Sequence, residues 1–258
     1  MKTQNYKSIA SKLNFEGRAF IDGKYVDAID GQKFENINPA TGEVLCTVAK
    51  CNYKDVDLAV KASRKAFESG VWSRTSPEFR KDILLKFAEL LRQHGEDNSV
   101  LECVDTGKLI GDCIDEVAND APMHFQWYGE LIDKVFGKVS PTEPSITSLI
   151  VKEPIGVVAG VVPWNFPLMM AVWKAAPALA AGCSLIIKPA EDTPLTAIMV
   201  AQIAKEAGIP DGVFNVVPGF GDVGEALGRH NDVDAVSFTG STEVGGFFMT
   251  YSGESNLK

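Results

Sequence analysis

The sequence has little histidine, no close pairing of cysteines and no surplus of basic charge. His94, His124 and His230 stand far apart, without HExxH or any zinc spacing, so no metal site is expected. The cysteines Cys46, Cys51, Cys103, Cys113 and Cys183 are odd in number and include no CxxC pair. There is also no N-x-[ST] sequon, and Met1–Tyr6 carries no apolar run of the kind that opens a secretory leader. Reduced thiols in a cytoplasm are the expectation. Lys and Arg total 25 against 34 Asp and Glu, a net charge of −9. The deficit is shared, −4 over residues 1–150 and −5 over 151–258. Neither half offers a basic face, which argues against nucleic acid and against an anionic membrane surface. The chain also lacks GxxxxGK[ST] and GxSxG.

One uncharged run, Pro154 to Trp173, is long enough for a membrane span. Pro154, Pro163 and Pro167 lie in it, and each internal proline removes a helical hydrogen bond. A buried strand, a turn and then a helix are expected instead, with no membrane partner.

What is present is ordinary globular material over 258 residues, 45% hydrophobic and 23% charged, ample for a core. Asp22-Gly23 between Phe20-Ile21 and Tyr25-Val26 predicts a β-hairpin. Asn38-Pro39-Ala40-Thr41-Gly42 predicts a second turn, followed by the alternating Val44, Cys46 and Val48. Residues 54–137 read as helical, with Ile83, Phe87, Leu90 and Leu91 on one face. Asp105-Thr106-Gly107-Lys108 interrupts, and a further helix is expected over about 112–133. The style then changes. A break falls at Ser140–Pro144 and an extended arm at 146–152. Beyond it strands and helices alternate: strands at 156–162, 184–188, 213–217 and 235–239, helices at 168–181, 195–207, 221–229 and from 241. This rhythm predicts right-handed βαβ units and a parallel sheet, with ligands at the carboxyl ends of its strands. The boundaries expected are a helical and β lead-in over 1–137, an extended arm over 138–153 and a βαβ core over 154–258.

Four strand exits could carry chemistry. Gly219-Phe220-Gly221-Asp222-Val223-Gly224 fits GxGxxG, either a dinucleotide fingerprint or a glycine-rich turn. Glu243 has the spacing of a ribose-binding acid but falls inside a predicted helix. Gly240-Ser241-Thr242 offers a competing phosphate site, since small residues open a helix whose amino end attracts anions; the same residues cap helices generally. Lys188-Pro189-Ala190-Glu191 sets a cation and a carboxylate at a strand end, suited to sugar hydroxyls or to a surface ion pair. Trp164-Asn165-Phe166-Pro167 is a rigid turn that can aim the Asn165 amide at an oxyanion, or merely satisfy its own backbone. Lys174 is the only charge between Pro154 and Ile187, either snorkelling or buried for a reason. Cys183, at a helix end, reads as a small core residue.

Taken in order, these segments resemble the NAD(P)-dependent aldehyde dehydrogenase superfamily. The resemblance runs from Phe20-Ile21-Asp22-Gly23 and Asn38–Gly42, through Asp105–Lys108 and Glu153–Val157. It is strongest at Val162–Pro167, Ile187–Glu191, Gly208–Val213 and Phe238–Thr242. Within the superfamily the sequence is most similar to members acting on γ-glutamyl-γ-aminobutyraldehyde and related amino aldehydes. The resemblance implies an α/β fold with a parallel Rossmann-like sheet flanked by helices. It implies that Ser241 lies at the coenzyme pyrophosphate within a turn that includes Gly240, Val244 and Gly245. Lys188 and Glu191 would hold the adenosine ribose, Gly219 would line the adenine pocket, and Pro163 and Trp164 would border the coenzyme. A carboxylate at Glu191 favours NAD over NADP, because it would face a 2′-phosphate. Asn165 becomes the oxyanion donor and Lys174 a proton-relay member. The arm resembles an oligomerisation segment, so a homo-oligomer is expected.

The resemblance also implies absences. Family members carry a cysteine nucleophile in a later catalytic domain and a glutamate base on a Glu-Leu-Gly-Gly-like strand. None of the five cysteines fits the nucleophile's place, and the sequence closes at Gly253–Lys258 just ahead of that strand. Thioester chemistry needs both a thiolate and a base for water. The expectation is therefore a truncated amino-terminal portion, inactive alone, that forms a homo-oligomer or associates with a missing carboxy-terminal half. Its sheet is expected to carry an unpaired edge. The alternatives are a coenzyme-binding module without turnover and a remnant without function.

Overall fold

The computed structural model describes residues 2–255 and 257–258. Met1, at the start read as leaderless, and Asn256, in the closing segment, lie outside the described residues. The chain begins with helix α1 (Lys2–Ala10), then the antiparallel hairpin β1 (Ala19–Ile21) and β2 (Lys24–Val26). Asp22 and Gly23 both have positive φ, 51° and 73°, the backbone twist that a two-residue hairpin needs. A second antiparallel pair follows, β3 (Lys33–Ile37) with β4 (Val44–Ala49).

Next comes a helical layer: α2 (Tyr53–Ser69), α3 (Pro77–Gln93), α4 (Gly95–Thr106), α5 (Ile110–Cys113) and α6 (Ala121–Leu131). Asn52 starts α2 with a capping box: its side chain accepts from Lys54 N at 2.9 Å, while Asp55 accepts from Asn52 N at 2.9 Å. Gly107, at φ 75°, stops α4 where the sequence predicts a break. The single helix expected over 112–133 is instead four segments in series: a 3₁₀ turn, Ile132–Lys134, follows α6, and Ile114–Asp120 winds as a π-helix between α5 and α6. This wide turn closes with Ala121 N donating to Glu116 O, just before Pro122, which has no N–H to offer.

The arm is a short antiparallel hairpin, β5 (Lys138–Ser140) with β6 (Ser148–Ile150). The alternating region then gives β7 (Val157–Val161), α7 (Pro167–Ala181), β8 (Ser184–Lys188), α8 (Leu195–Ala207), β9 (Phe214–Val216), α9 (Gly221–Gly228), β10 (Ala235–Phe238) and α10 (Thr242–Glu254).

The main sheet has the order β10-β7-β8-β9-β1-β2. β10, β7, β8 and β9 are parallel, as the alternation predicts. One feature lay outside the sequence reading: the first hairpin joins this same sheet, β1 pairing antiparallel with β9 through Phe20 and Val216. Asn215 cements the seam, accepting from Asp22 N at 2.9 Å and donating to Ser63 Oγ and Gly212 O.

Both faces of the sheet are covered, so its central strands are buried throughout. Leu185 and Ile187 of β8 face a core built with α7, α8, α3 and α6. Ile186, between them, faces the other core, with Val56 and Val60 of α2, Val223 of α9 and Phe248 of α10. On the outer edge of β10, Val236 N donates to Lys258 O at 2.8 Å and Lys258 N donates to Asp234 O at 3.0 Å. The edge expected to be unpaired is thus engaged at this point.

Candidate functional site

Successive strands β7, β8 and β9 step one way across the sheet, and β10 returns to the far side of β7. The loops leaving β7 and β10 therefore diverge, and such a switch point opens a crevice at the carboxyl ends of the strands. A crevice of about 940 Å³ lies there. It brings together eight of the eleven site residues expected from sequence: Pro163, Trp164 and Asn165 after β7, Lys188 at the end of β8 and Glu191 beyond it, and Gly240, Ser241 and Val244 after β10. Gly219, Gly245 and Lys174 do not line it.

The polar groups are held by local structure. Lys188 is only 5% exposed, and its Nζ sits 3.0 Å from Glu191 Oε2, so a largely desolvated ammonium orients a half-open carboxylate. Ser241 caps α10, its Oγ accepting from Val244 N at 3.3 Å. The positive end of the α10 dipole consequently faces the crevice wall. A Cβ on Gly240 would lie 2.5 Å from the Phe238 ring, so only glycine lets the turn fold over that aromatic. A Cβ on Gly245 would reach the same ring at 3.4 Å, an ordinary contact distance. Gly240 thus serves close packing around Phe238, itself a crevice residue.

Asn165 is exposed in the loop ahead of α7, and among the described residues no partner holds its amide. Lys174 is 7% exposed and approaches from behind. Its Nζ donates to Thr239 Oγ1 at 2.6 Å, and Thr239 lines the crevice. Burial pushes the Lys174 pKa below the usual lysine range. Gly160 makes room for this side chain, since a Cβ there would lie 3.2 Å from Lys174 Cδ and 2.7 Å from Ile187 Cδ1.

The GxGxxG segment divides its roles. Gly219, at φ 151°, packs where a Cβ would meet Val223 at 2.6 Å and Cys51 O at 2.9 Å. Gly221 and Gly224 line the crevice from α9. Glu243 falls within α10, as the helix predicted from 241 implies and not as its ribose-acid spacing would suggest. Sequence reasoning missed Thr239 and Arg229. Arg229 follows the end of α9, paired to Glu225 at 2.9 Å and to Glu254, and lines the crevice. Nothing in its sequence context marks it, because its place depends on α9 packing against α10. None of the five cysteines lines the crevice, and Cys51, Cys113 and Cys183 are buried.

Among the described residues no helix is long and apolar enough to cross a membrane. Residues 25–258 match the aldehyde dehydrogenase family. An aminoacetaldehyde dehydrogenase of Pseudomonas aeruginosa is 50% identical, with 100% of this chain and 52% of that protein covered. The NADP/NAD-dependent aldehyde dehydrogenase PuuC of Escherichia coli is 48% identical over 96% of this chain and 50% of its own length. Among solved structures, a γ-glutamyl-γ-aminobutyraldehyde dehydrogenase from Burkholderia cenocepacia superposes with a TM-score of 0.96 at 50% identity, covering 99% of this chain and 53% of that one. An indole-3-acetaldehyde dehydrogenase variant of P. syringae, in complex with NAD+, gives 0.96 at 47% identity, over 99% and 53% of the two chains. The chain spans about half the length of the curated relatives it matches. With this fold, this sheet order and this extent of identity, the chain belongs to the aldehyde dehydrogenase family.

Proposed function

We propose that this chain forms the coenzyme-binding part of an NAD-dependent aldehyde dehydrogenase that oxidises an amino aldehyde to its acid. The observation that carries this reading is the crevice at the switch point, walled by the Lys188–Glu191 pair and the Ser241-capped start of α10. Its volume suits a dinucleotide-sized ligand. The residues present fit such a group. Lys188 and Glu191 offer a donor and an acceptor to ribose hydroxyls. Ser241 and the amino end of α10 offer positive potential to a pyrophosphate. Gly221 and Gly224 leave flat backbone for an adenine ring, with Gly219 shaping the turn behind them. Glu191 disfavours a 2′-phosphate, which selects NAD over NADP; PuuC, by its name, takes both. When bound, the coenzyme supplies a two-electron acceptor for hydride.

The remaining steps belong to side chains. Asn165 presents an unpartnered amide from a rigid turn, ready to donate to the oxyanion of an attacked aldehyde. Lys174, through Thr239, can pass a proton toward the crevice. The amino-aldehyde class is supported by the aminoacetaldehyde and γ-glutamyl-γ-aminobutyraldehyde dehydrogenases among the relatives. The chain divides into a lead-in over 1–137, an oligomerisation arm over 138–153 and a coenzyme core over 154–258. The protein works in a reducing cytoplasm, as a homo-oligomer or with a carboxy-terminal half.

A second reading, coenzyme binding without turnover by this chain alone, is favoured by one observation: no thiol lines the crevice. Calorimetry with NAD and NADP tests the shared core of both readings. Saturable NAD binding by folded chain is expected, and its absence overturns both. NADH formation from an aminoaldehyde by the chain alone would remove the second.

A further inference from the structure

Asp105-Thr106-Gly107-Lys108, none of whose residues lines the crevice, ends against the turn that carries Asn165. Gly107, at φ 75°, takes the chain out of α4, and the backbone of Lys108 is then held on two sides. Lys108 N donates to Thr106 Oγ1 at 3.2 Å, and Lys108 O accepts from Cys103 Sγ at 3.1 Å. From this fixed base the side chain reaches Phe166, with Nζ 4.2 Å from the centre of the ring. The same ammonium pairs with Glu116 of the π-helix. Both charged side chains are largely buried, so solvent screens the pair poorly. Irregular helical turns of this kind recur at functional sites.

Phe166 directly follows Asn165, and the turn around them is pinned elsewhere as well. Pro163 and Pro167 fix φ on either side. Trp164 O accepts from the buried Thr193 Oγ1 at 3.0 Å, and Phe166 O accepts from Met170 N at 2.9 Å. The Phe166 ring, however, is 40% exposed, too open for core packing alone to hold it. The ammonium on its face supplies that hold.

We infer that Lys108, braced by Glu116, is a positioning residue for Asn165: the cation seated on the Phe166 ring keeps the turn, and with it the Asn165 amide, in one direction. The inference rests on the reading of Asn165 as the oxyanion donor. Such a donor works by being in place before charge develops, and a turn free to swing would lose that advantage. Lys108 acts through Phe166 and not on the reacting atoms.

Nuclear magnetic resonance on the folded full chain tests it. In the wild type the Phe166 ring should displace the Lys108 ε-protons upfield, and the backbone order parameters of Asn165 and Phe166 should be about 0.85. Lys108→Met keeps the reach of the side chain and removes its charge; those order parameters should fall to about 0.6 or below, while α7 stays unchanged. Lys108→Arg keeps a cation for the ring and should restore them. Phe166→Leu leaves the Lys108–Glu116 pair but removes the ring, and should loosen Asn165 to the same extent. An undisplaced ε-proton signal in the wild type overturns the inference, as does an Asn165 that stays ordered in Lys108→Met or Phe166→Leu, or one that loosens equally in Lys108→Arg. If Lys108→Met does not fold by circular dichroism, Phe166→Leu and the wild-type ε-proton signal decide. Titration with NAD in the same spectra separates this inference from the coenzyme reading. A wild type that binds no NAD removes that reading without moving the Asn165 order parameters, whereas failure of the Lys108 contact leaves NAD binding intact.

Discussion

Ser241 carries two loads at once, closing the amino end of α10 and facing the crevice. Ser241→Ala should lower stability by about 1 kcal/mol through the lost cap. It should also weaken NAD binding up to about tenfold, the value of one hydrogen bond. A urea titration and calorimetry on the same variant separate the two effects. Glu191 is predicted to act through charge. Glu191→Gln should shift preference toward NADP by about tenfold or more, since like charges set together cost several kcal/mol. Paired titrations with the two coenzymes measure it, and an unchanged ratio removes Glu191 from selectivity. At this scale the sequence was informative where crevice residues sit at or just beyond a strand end, as at Asn165, Lys188 and Ser241. It was silent on Arg229 and Thr239. Arg229 reaches the crevice only because α9 lies against α10, and Thr239 matters because a buried lysine from another element ends on it.

Elements are tied at the far, amino-terminal end of the sheet by Gly156. Its φ is 133°, and a Cβ would sit 1.8 Å from Asp234 Oδ2. That carboxylate accepts from Val157 N at 2.7 Å and pairs with Arg64 at 2.5 Å, joining β7, the start of β10 and α2. Gly156→Ala should destabilise the fold by about 1–3 kcal/mol, read as a lower urea midpoint. Between α4 and α8 lie two buried carboxylates. Glu102 accepts from Thr196 Oγ1 at 2.8 Å, and Asp105 accepts from Leu195 N at 3.0 Å and Asn36 Nδ2 at 2.9 Å. Burial raises both to about 7, from ordinary values near 4. The folded chain therefore holds these protons more tightly than the unfolded one. Their stabilisation is complete below about pH 4 and disappears as pH rises through 7. Unfolding midpoints should fall from pH 5.5 to pH 7.5, and Glu102→Gln should flatten the slope; a slope equal to wild type excludes Glu102 as its source. Helix and strand intervals were legible because periodicity and Gly punctuation are local. The π-helix and the β1–β9 seam were not, since the first is a subtle change of winding and the second a pairing between distant segments.

For the molecule as a whole, the arm is the most conspicuous surface. Val139 and Leu149 face each other across β5 and β6, 72% and 63% exposed, with Phe136 and Val151 also open. An apolar hairpin with open edges invites a second copy. Light scattering should give a mass above that of one chain, and Val139→Lys with Leu149→Lys should return it to one. The α/β class and the parallel run were readable from the alternating segments, whereas the full six-strand order was not. That order also bears on how the chain is made. β1 leaves a ribosome well before its neighbour β9, because the paired Phe20 and Val216 lie far apart along the chain. The nascent hairpin must therefore wait, its inner seam open to water, and birth order and spatial order oppose one another at that margin.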